Sequence, residues 1–271
     1  GDILQGTPLS TVYKGEPDVK CLNLMRLDAM CIGNHEFDFG QDVLAARARQ
    51  ARFPFLAANI VEEQTGAPPQ WAQPYVIKDL DGVRFGIIGL SYVGTPAISK
   101  PSNVAGLRFL PGAEAVRRYL PDVRRQCDVI VVLSHLGMPD DELLAAAVPG
   151  IDIIVGGHSH TVQLTPKLVG QTVIVQAGSN TKQIGRLNLT FDRVRRTVTS
   201  YTVANEVANV LSGQVKPNRA VEQLVAQKTT EVQDILQKPI GETLVSMDNC
   251  YAGECALGNL VTDAMLAANQ A

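Results

Sequence analysis

The sequence predicts an α/β fold in which mixed β-sheets are flanked by helices. Two apolar runs, residues 128–133 and 151–155, have the length and composition of buried strands. A helix-forming segment with an acidic start, residues 140–147, lies between them. Apolar strands that alternate with helices are typical of a parallel sheet covered on both faces. We therefore expect these segments to form the centre of the fold.

The chain before this centre alternates in the same way. We predict helices at residues 17–27, 42–47 and 113–126, with Pro121 as a kink or break in the third. We predict strands at residues 29–32 and 53–59, and a hairpin of strands 75–77 and 83–90 around the turn Asp81-Gly82.

The chain after this centre changes to consecutive strands. Strands are predicted at residues 172–176, 184–191 and 197–203, as an antiparallel addition to the sheet or as a second sheet packed on it. After these strands we predict a helix at residues 218–237, which Pro239 terminates, then a strand at 240–245 and a helix at 254–268.

Composition excludes some classes of function. The 271 residues are 45% hydrophobic and 19% charged, which is typical of a globular protein with a sizeable core. The net charge is -3 without a basic face, so we expect no nucleic-acid partner. No apolar run approaches the ~20 residues of a transmembrane helix. Five cysteines contain no C-x-x-C pair, and a bond between Cys250 and Cys255 is left open.

All four histidines follow apolar, strand-like runs within a few residues. They are His35, His135, His158 and His160. In a parallel sheet such positions lie at the carboxyl ends of strands, where open α/β folds build their sites. A single histidine there is more often structural, but four of four favour a functional cluster.

The segment from Gly33 to Gly40 combines an amide oxygen, an imidazole and a carboxylate in one turn. Asn34 is a candidate metal ligand. Asp38 can accept the ring N–H of His35, which would hold the ring and raise its pKa, so that His35 becomes a proton donor. We expect Glu36 to face solvent or to support its neighbours without binding metal.

Imidazole and carboxylate ligands suit Zn or Mn, and Asp2 is suited to bridge two ions. Two divalent ions ~3.5–4 Å apart can clamp a phosphoryl group and generate hydroxide. The pattern therefore predicts metal-assisted hydrolysis. The sequence contains neither a P-loop nor the Gly-x-Ser-x-Gly turn of a serine hydrolase.

These motifs resemble the 5'-nucleotidase / UDP-sugar hydrolase family of calcineurin-like metallophosphatases. The resemblance is carried by Gly-Asp-Ile-Leu-Gln-Gly-Thr at the start, Gly-Asn-His-Glu-Phe-Asp-Phe-Gly, Ala58-Asn59-Ile60, Ser-His-Leu-Gly, Gly-Gly-His-Ser-His-Thr and the segment 254–263. It implies a four-layer core with mixed sheets and helices, two divalent metal ions, a nucleotide substrate and release of phosphate. It also implies a periplasmic, cell-surface or secreted location.

The resemblance implies a role for each candidate residue. Asp2 bridges both metals; Asn34, His135 and His158 complete one metal, and His160 serves the other. His35 and Asp38 form the catalytic dyad.

The resemblance also implies a domain division. Residues 1–205 are expected to form the metallophosphatase domain, 206–238 a linker helix, and 239–271 the beginning of a C-terminal substrate-binding domain. The family's first strand ends in Asp-x-His, which we expect before Gly1. We therefore expect this chain to hold the metal at Asn34, His135 and His158 better than its neighbour, and to be weakly active or inactive.

Two alternative functions stay open: a different enzymatic reaction on the same core, and a non-catalytic role. Related families cleave 2',3'-cyclic nucleotides or act as thiosulfohydrolases, and Asp38 favours the nucleotidase over the cyclic phosphodiesterase. The chain could also belong to a non-catalytic metal-binding surface protein, but a purely structural metal does not need His35 and Asp38.

Overall fold

The computed structural model of the protein describes residues 1–202, 208–211, 213–239, 241–248 and 253–270. The chain divides into two compact units, Gly1–Val232 and Gln233–Ala271. Every candidate site residue lies in the first unit. In the described ranges, no helix is both long and apolar enough to cross a membrane.

The α-helices of the described residues are numbered in chain order. They are α1 (Pro8–Tyr13), α2 (Glu16–Met25), α3 (Gln41–Gln50), α4 (Thr95–Ile98), α5 (Pro101–Val104), α6 (Gly112–Arg124), α7 (Met138–Ala147), α8 (Arg219–Leu236) and α9 (Ala256–Gln270). A 3₁₀ turn covers His35–Phe37.

The strands are numbered in the same way. They are β1 (Met30–Cys31), β2 (Phe55–Leu56), β3 (Ile60–Glu62), β4 (Tyr75–Leu80), β5 (Val83–Leu90), β6 (Leu107–Phe109), β7 (Val129–Ser134), β8 (Ile153–Val155), β9 (Lys167–Val169), β10 (Thr172–Val175), β11 (Gln183–Ile184), β12 (Leu189–Asp192), β13 (Thr197–Tyr201) and β14 (Ala208–Asn209).

A six-stranded mixed sheet in the order β4-β5-β7-β8-β10-β9 forms the centre of the first unit. Strands β5, β7, β8 and β10 are parallel, and β4 and β9 are antiparallel edge strands. Leu90 pairs with Ser134, and Val155 pairs with Val175, so the parallel strands end together. This alignment brings the segments that follow them to one edge of the sheet, as the sequence predicts.

Helices α6 and α7 cover one face of this sheet. Ile88, Val132 and Ile154 of the strands pack there with Val116 and Leu144 of the helices, and all five are buried. A fully buried side chain of this size contributes roughly 1.5–3 kcal/mol to folding.

The hairpin β12–β13 covers the other face. Val83, Val129 and Ile153 of the sheet are buried there, with Phe191 and Val198 of the hairpin packed against them. Of the two arrangements that the sequence allows, the second sheet packed on the first is formed by β12–β13. The predicted strand 172–176 is β10, which joins the main sheet parallel to β8 rather than antiparallel, and the antiparallel strand next to it, β9, was not predicted.

Several predicted elements differ from the structure. Helix α6 continues through Pro121 to Arg124, so the predicted break is absent. The helix tolerates this proline because it lies in the last turn, where its missing N–H removes only one helical hydrogen bond. Helix α1 was not predicted; Thr7 caps it by accepting from the N–H of Ser10, and Pro8 occupies its first position.

Three predicted strands are divided or missing. The segment 53–59 contains only β2, which precedes the separate strand β3, and the segment 184–191 is divided between β11 and β12, which have different partners. Residues 241–245 are not a strand, since no strand of the described chain pairs with them. Ile240 and Cys250, and with it the pairing to Cys255, lie outside the described residues.

Candidate metal centre

The carboxylate of Glu36 connects the two chain segments that form the site. Its Oε2 accepts from the N–H groups of Asp2 and Gly33 at 2.7 and 2.6 Å, and its Oε1 accepts from Ile3 at 2.7 Å. The side chain is fully buried. Of the two alternatives expected for Glu36, the structure shows the supporting role and not the solvent-facing one, because three N–H donors compensate the burial of its carboxylate.

Apolar neighbours fix the same two segments from below. Leu4, Ile32 and Phe37 are fully buried in one cluster beneath the site. Each follows or precedes a candidate site residue in the sequence by no more than two positions. The polar side chains are thus carried by backbone that is anchored in the core.

Asp2 faces both His35 and His135. Its Oδ1 accepts from the backbone N–H of His35 at 2.9 Å, and its Oδ2 lies 2.8 Å from Nε2 of His135. Burial alone would raise the pKa of Asp2, but the hydrogen bond and charge of His135 and the N–H of His35 lower it to about 2. Asp2 is therefore ionised over the physiological range.

His158 and Asn34 complete a convergent group. The Nδ1 of His158 lies 3.0 Å from Oδ1 of Asn34, and one ligand atom each of Asp2, His135 and His158 lie within 4.8 Å of one another. Burial and the neighbouring His135 lower the pKa of His158, so its ring is neutral and has a lone pair to donate.

Gly33 is required by the crowding of this group. A Cβ at Gly33 would lie 2.8 Å from the backbone N of Asp2 and 2.9 Å from Nε2 of His135. Both distances are shorter than a packed side chain permits. Any larger residue would push the candidate ligands apart.

The dyad forms within the 3₁₀ turn. Nδ1 of His35 lies 2.7 Å from Oδ2 of Asp38. Burial lowers the pKa of His35, but the hydrogen bond to Asp38 and the charges of Asp2, Asp38 and Glu36 raise it above its ordinary value. Asn103 donates to the backbone carbonyls of Phe37 and Asp38 at 2.8 and 3.0 Å and so holds the turn from outside.

The turn that carries His158 and His160 has an unfavourable backbone. His158 has φ +69° and His160 has φ +56°, in the left-handed region that costs a non-glycine residue on the order of 1–3 kcal/mol. The buried Gln176 stabilises this turn: its Nε2 donates to the carbonyl of Gly157 at 3.1 Å, and its Oε1 accepts from the hydroxyl of Ser159 at 3.0 Å.

His160 lies on the same turn but outside the convergent group. It is exposed, whereas His135 is buried and His158 is partly buried. Of the five candidate ligands, the structure therefore brings together Asp2, Asn34, His135 and His158. A carboxylate, an amide oxygen and two imidazoles fit a divalent metal ion.

Ser134 and Asp141 support His135 from the core. The hydroxyl of Ser134, next to His135, donates to Oδ1 of Asp141 and accepts from the N–H of Leu136 at 3.1 Å. Burial raises the pKa of Asp141 to about 7, against the lowering effect of Ser134 and with a further increase from the charge of Asp140.

The contacts of the supporting residues Glu36, Gln176 and Asp141 cannot be read from the sequence, although Glu36 lies within the Gly33–Gly40 segment. The N–H groups that bind Glu36 include two from residues 33 and 34 positions away in the chain. Only the fold shows these contacts.

Replacement of Glu36 tests its role in folding. In Glu36→Gln, an amide NH₂ faces a backbone N–H and the negative charge is lost, so we expect the free energy of unfolding to fall by about 2–3 kcal/mol. Urea denaturation of the metal-free protein measures it. Glu63→Gln, at an exposed glutamate, is the control and should change little. Equal stability of Glu36→Gln and wild type would contradict the role.

The raised pKa of Asp141 predicts that the stability of the protein depends on pH. Its folded pKa of about 7 is above its ordinary value, so the folded state holds the proton more tightly and stability is lost as pH rises towards 7. Between pH 5 and pH 8 the metal-free wild type should lose on the order of 2–3 kcal/mol relative to Asp141→Asn. Urea denaturation at both pH values measures the difference, with Asp42→Asn, at an exposed aspartate that does not influence Asp141, as control. Parallel curves for Asp141→Asn and wild type would refute the prediction.

Comparison with known proteins gives a consistent result. Residues 1–162 match the family model described as calcineurin-like phosphoesterase. The rat (Rattus norvegicus) 5'-nucleotidase is 32% identical over 292 aligned residues, which cover 98% of this chain and 50% of that protein. The chain therefore spans about half the length of such curated relatives.

Two solved structures from Thermus thermophilus have the same fold. A 5'-nucleotidase precursor is 30% identical, with a TM-score of 0.84, over 98% of this chain and 56% of its own. The sulfate thiohydrolase SoxB is 25% identical, with a TM-score of 0.85, over 100% of this chain and 49% of its own. From these matches and the site described above, the chain belongs to the calcineurin-like phosphoesterase family, whose members use divalent metals.

Proposed function

We propose that this protein is a metal-dependent phosphoester hydrolase that releases phosphate from 5'-nucleotides or related nucleotide esters. The observation that carries the proposal is the position of the His35–Asp38 pair beside the group of Asp2, His135 and His158. The backbone N–H of His35 donates to Asp2, so a hydrogen bond links the His35–Asp38 pair directly to the candidate metal ligands. The identity to 5'-nucleotidases over nearly the whole chain supports the substrate class.

In this proposal, Asp2, Asn34, His135 and His158 hold one divalent ion, Zn or Mn. Asp2 would also help to hold a second ion, together with His160. The position of His160 on the turn of His158 supports this assignment. When bound, such a pair of ions supplies a hydroxide nucleophile and neutralises charge on the phosphoryl group.

The chain's own residues provide the proton. Asp38 accepts the Nδ1–H of His35 and fixes the ring, which leaves Nε2 to face the substrate. Because the pKa of His35 is raised, the ring carries a proton at neutral pH more readily than an isolated histidine. His35 then donates from Nε2 to the leaving oxygen of the nucleoside.

The domain division and location are further parts of this proposal. Residues 1–205 carry the chemistry, 206–238 form a linker, and 239–271 begin the substrate-binding part. The first compact unit supports this assignment, since it contains every candidate site residue. A periplasmic, cell-surface or secreted location is supported by relatives described as snake venom 5'-nucleotidases.

A second candidate is the sulfate thiohydrolase reaction. The likeness to SoxB supports it, with a TM-score of 0.85. Its 25% identity is lower than that to the 5'-nucleotidases, so the nucleotidase is preferred.

Phosphate release from 5'-AMP tests the proposed function. The protein at its natural length, loaded with Mn²⁺ or Zn²⁺, should release phosphate, and a chelator should abolish the release. In His35→Ala we expect kcat to fall by roughly 10²–10⁴-fold, because the proton donor is lost while the metal ligands stay. Metal content measured on the same samples should be unchanged.

Two controls make this test specific. Glu63→Ala, at an exposed residue, should keep wild-type kcat. A 2',3'-cyclic nucleotide and a thiosulfate conjugate are assayed in parallel. Metal-loaded, folded protein that hydrolyses only one of these two would move the assignment to that reaction, and no effect of His35→Ala would refute its role as proton donor.

A further inference from the structure

The aromatic ring of Tyr92 stacks on the ring of His158. Their centroids are 4.0 Å apart and the planes are inclined by 23°. His158 also touches the edge of His135, with centroids 5.2 Å apart. In the described part of the chain, no other aromatic ring stacks face to face on a candidate ligand.

Among the described residues, no residue other than a candidate ligand fixes the ring plane of His158 by a hydrogen bond. A metal-ligating histidine commonly donates its second ring N–H to a fixed acceptor. In the described residues, the ring of His158 has one hydrogen bond, to Asn34, which is itself a candidate ligand. The stack on Tyr92 therefore takes the place of that outer partner.

The backbone of Tyr92 is anchored on both sides. The buried side chain of Asn59, in the motif Ala58-Asn59-Ile60, accepts from the N–H and donates to the carbonyl of Ser91, both at 2.8 Å. The hydroxyl of the buried Thr95 donates to the carbonyl of Tyr92 at 2.6 Å. The backbone on both sides of Tyr92, two residues after the end of β5, is therefore held in place by hydrogen bonds.

Gly94 leaves the space that the Tyr92 ring occupies. Its φ of -77° is accessible to any residue, so the turn itself does not require glycine. A Cβ at Gly94, however, would lie 2.6 Å from Cε1 and 2.8 Å from the hydroxyl oxygen of Tyr92. The ring is confined between Gly94 and His158.

We infer that Tyr92 is a positioning residue that holds the imidazole of His158 in the orientation needed to bind metal. This inference rests on the proposed function, since it assigns His158 to the metal. Tyr92 acts through face-to-face contact of the rings, so its hydroxyl is not needed. Its partly exposed position makes it a small contributor to the core.

Calorimetric titration of the metal-free protein with Mn²⁺ tests this inference. Tyr92→Ala removes the stack, and we expect Mn²⁺ to bind about 10-fold more weakly. Tyr92→Phe keeps the stack and should stay within about two-fold of wild type. The melting temperature of the metal-free protein should be similar in all three, which separates positioning from general stability.

Gly94→Ala gives an independent test that leaves both stacked residues intact. It displaces the Tyr92 ring from the opposite side, and we again expect weaker Mn²⁺ binding. In NMR spectra of the metal-free protein, the ring protons of His158 should lose the upfield shift caused by Tyr92 in Tyr92→Ala and keep it in Tyr92→Phe. This signal does not depend on catalysis.

The outcomes separate the inference from the proposed function. Wild-type Mn²⁺ affinity in Tyr92→Ala, or in Gly94→Ala should Tyr92→Ala not fold, would overturn the positioning role and leave the metal site standing. A wild-type protein that binds no Mn²⁺ would overturn the metal site and this inference with it. Equal weakening in Tyr92→Phe and Tyr92→Ala would also overturn it, because the stack would then not be the cause.

Discussion

The buried carboxylate of Glu36 is the interaction on which the site depends. It binds the N–H groups of Asp2, Ile3 and Gly33, and so joins the start of the chain to the turn that carries Asn34, His35 and Asp38. A buried carboxylate without donors would be strongly destabilising, and each buried N–H group without an acceptor would cost roughly a further 1–3 kcal/mol. Each group satisfies the other, so the two segments are fixed as one piece.

The second half of the site depends on the ends of parallel strands. Strands β7 and β8 end in register and release His135 and the turn of His158 at one edge of the sheet. Asp2 and His158 both have positive φ, a strained conformation that persists only when the surroundings determine it. Glu36 binds the N–H of Asp2, and Gln176 binds the residues on either side of His158, Gly157 and Ser159.

Local patterns in the sequence predicted the elements that matter for the site. Apolar runs before each histidine gave the strands, and the three-residue spacing of His35 and Asp38 gave their hydrogen bond. The sequence left open whether Glu36 faces solvent or supports its neighbours, and Tyr92 was not identified, because most of their partners are distant in the chain and only tertiary structure brings them together. The strand predicted at 240–245 is absent from its described residues, 241–245, for a related reason: a strand requires a partner that a single segment cannot specify.

The most direct test of the metal centre is anomalous diffraction from crystals of the protein grown with Mn²⁺. We expect one anomalous peak within direct ligand distance of Asp2, Asn34, His135 and His158. We expect a second, weaker peak near His160. A peak that is absent from this group, or that lies elsewhere while the group keeps its hydrogen-bonded arrangement, would contradict the assignment of these residues as metal ligands.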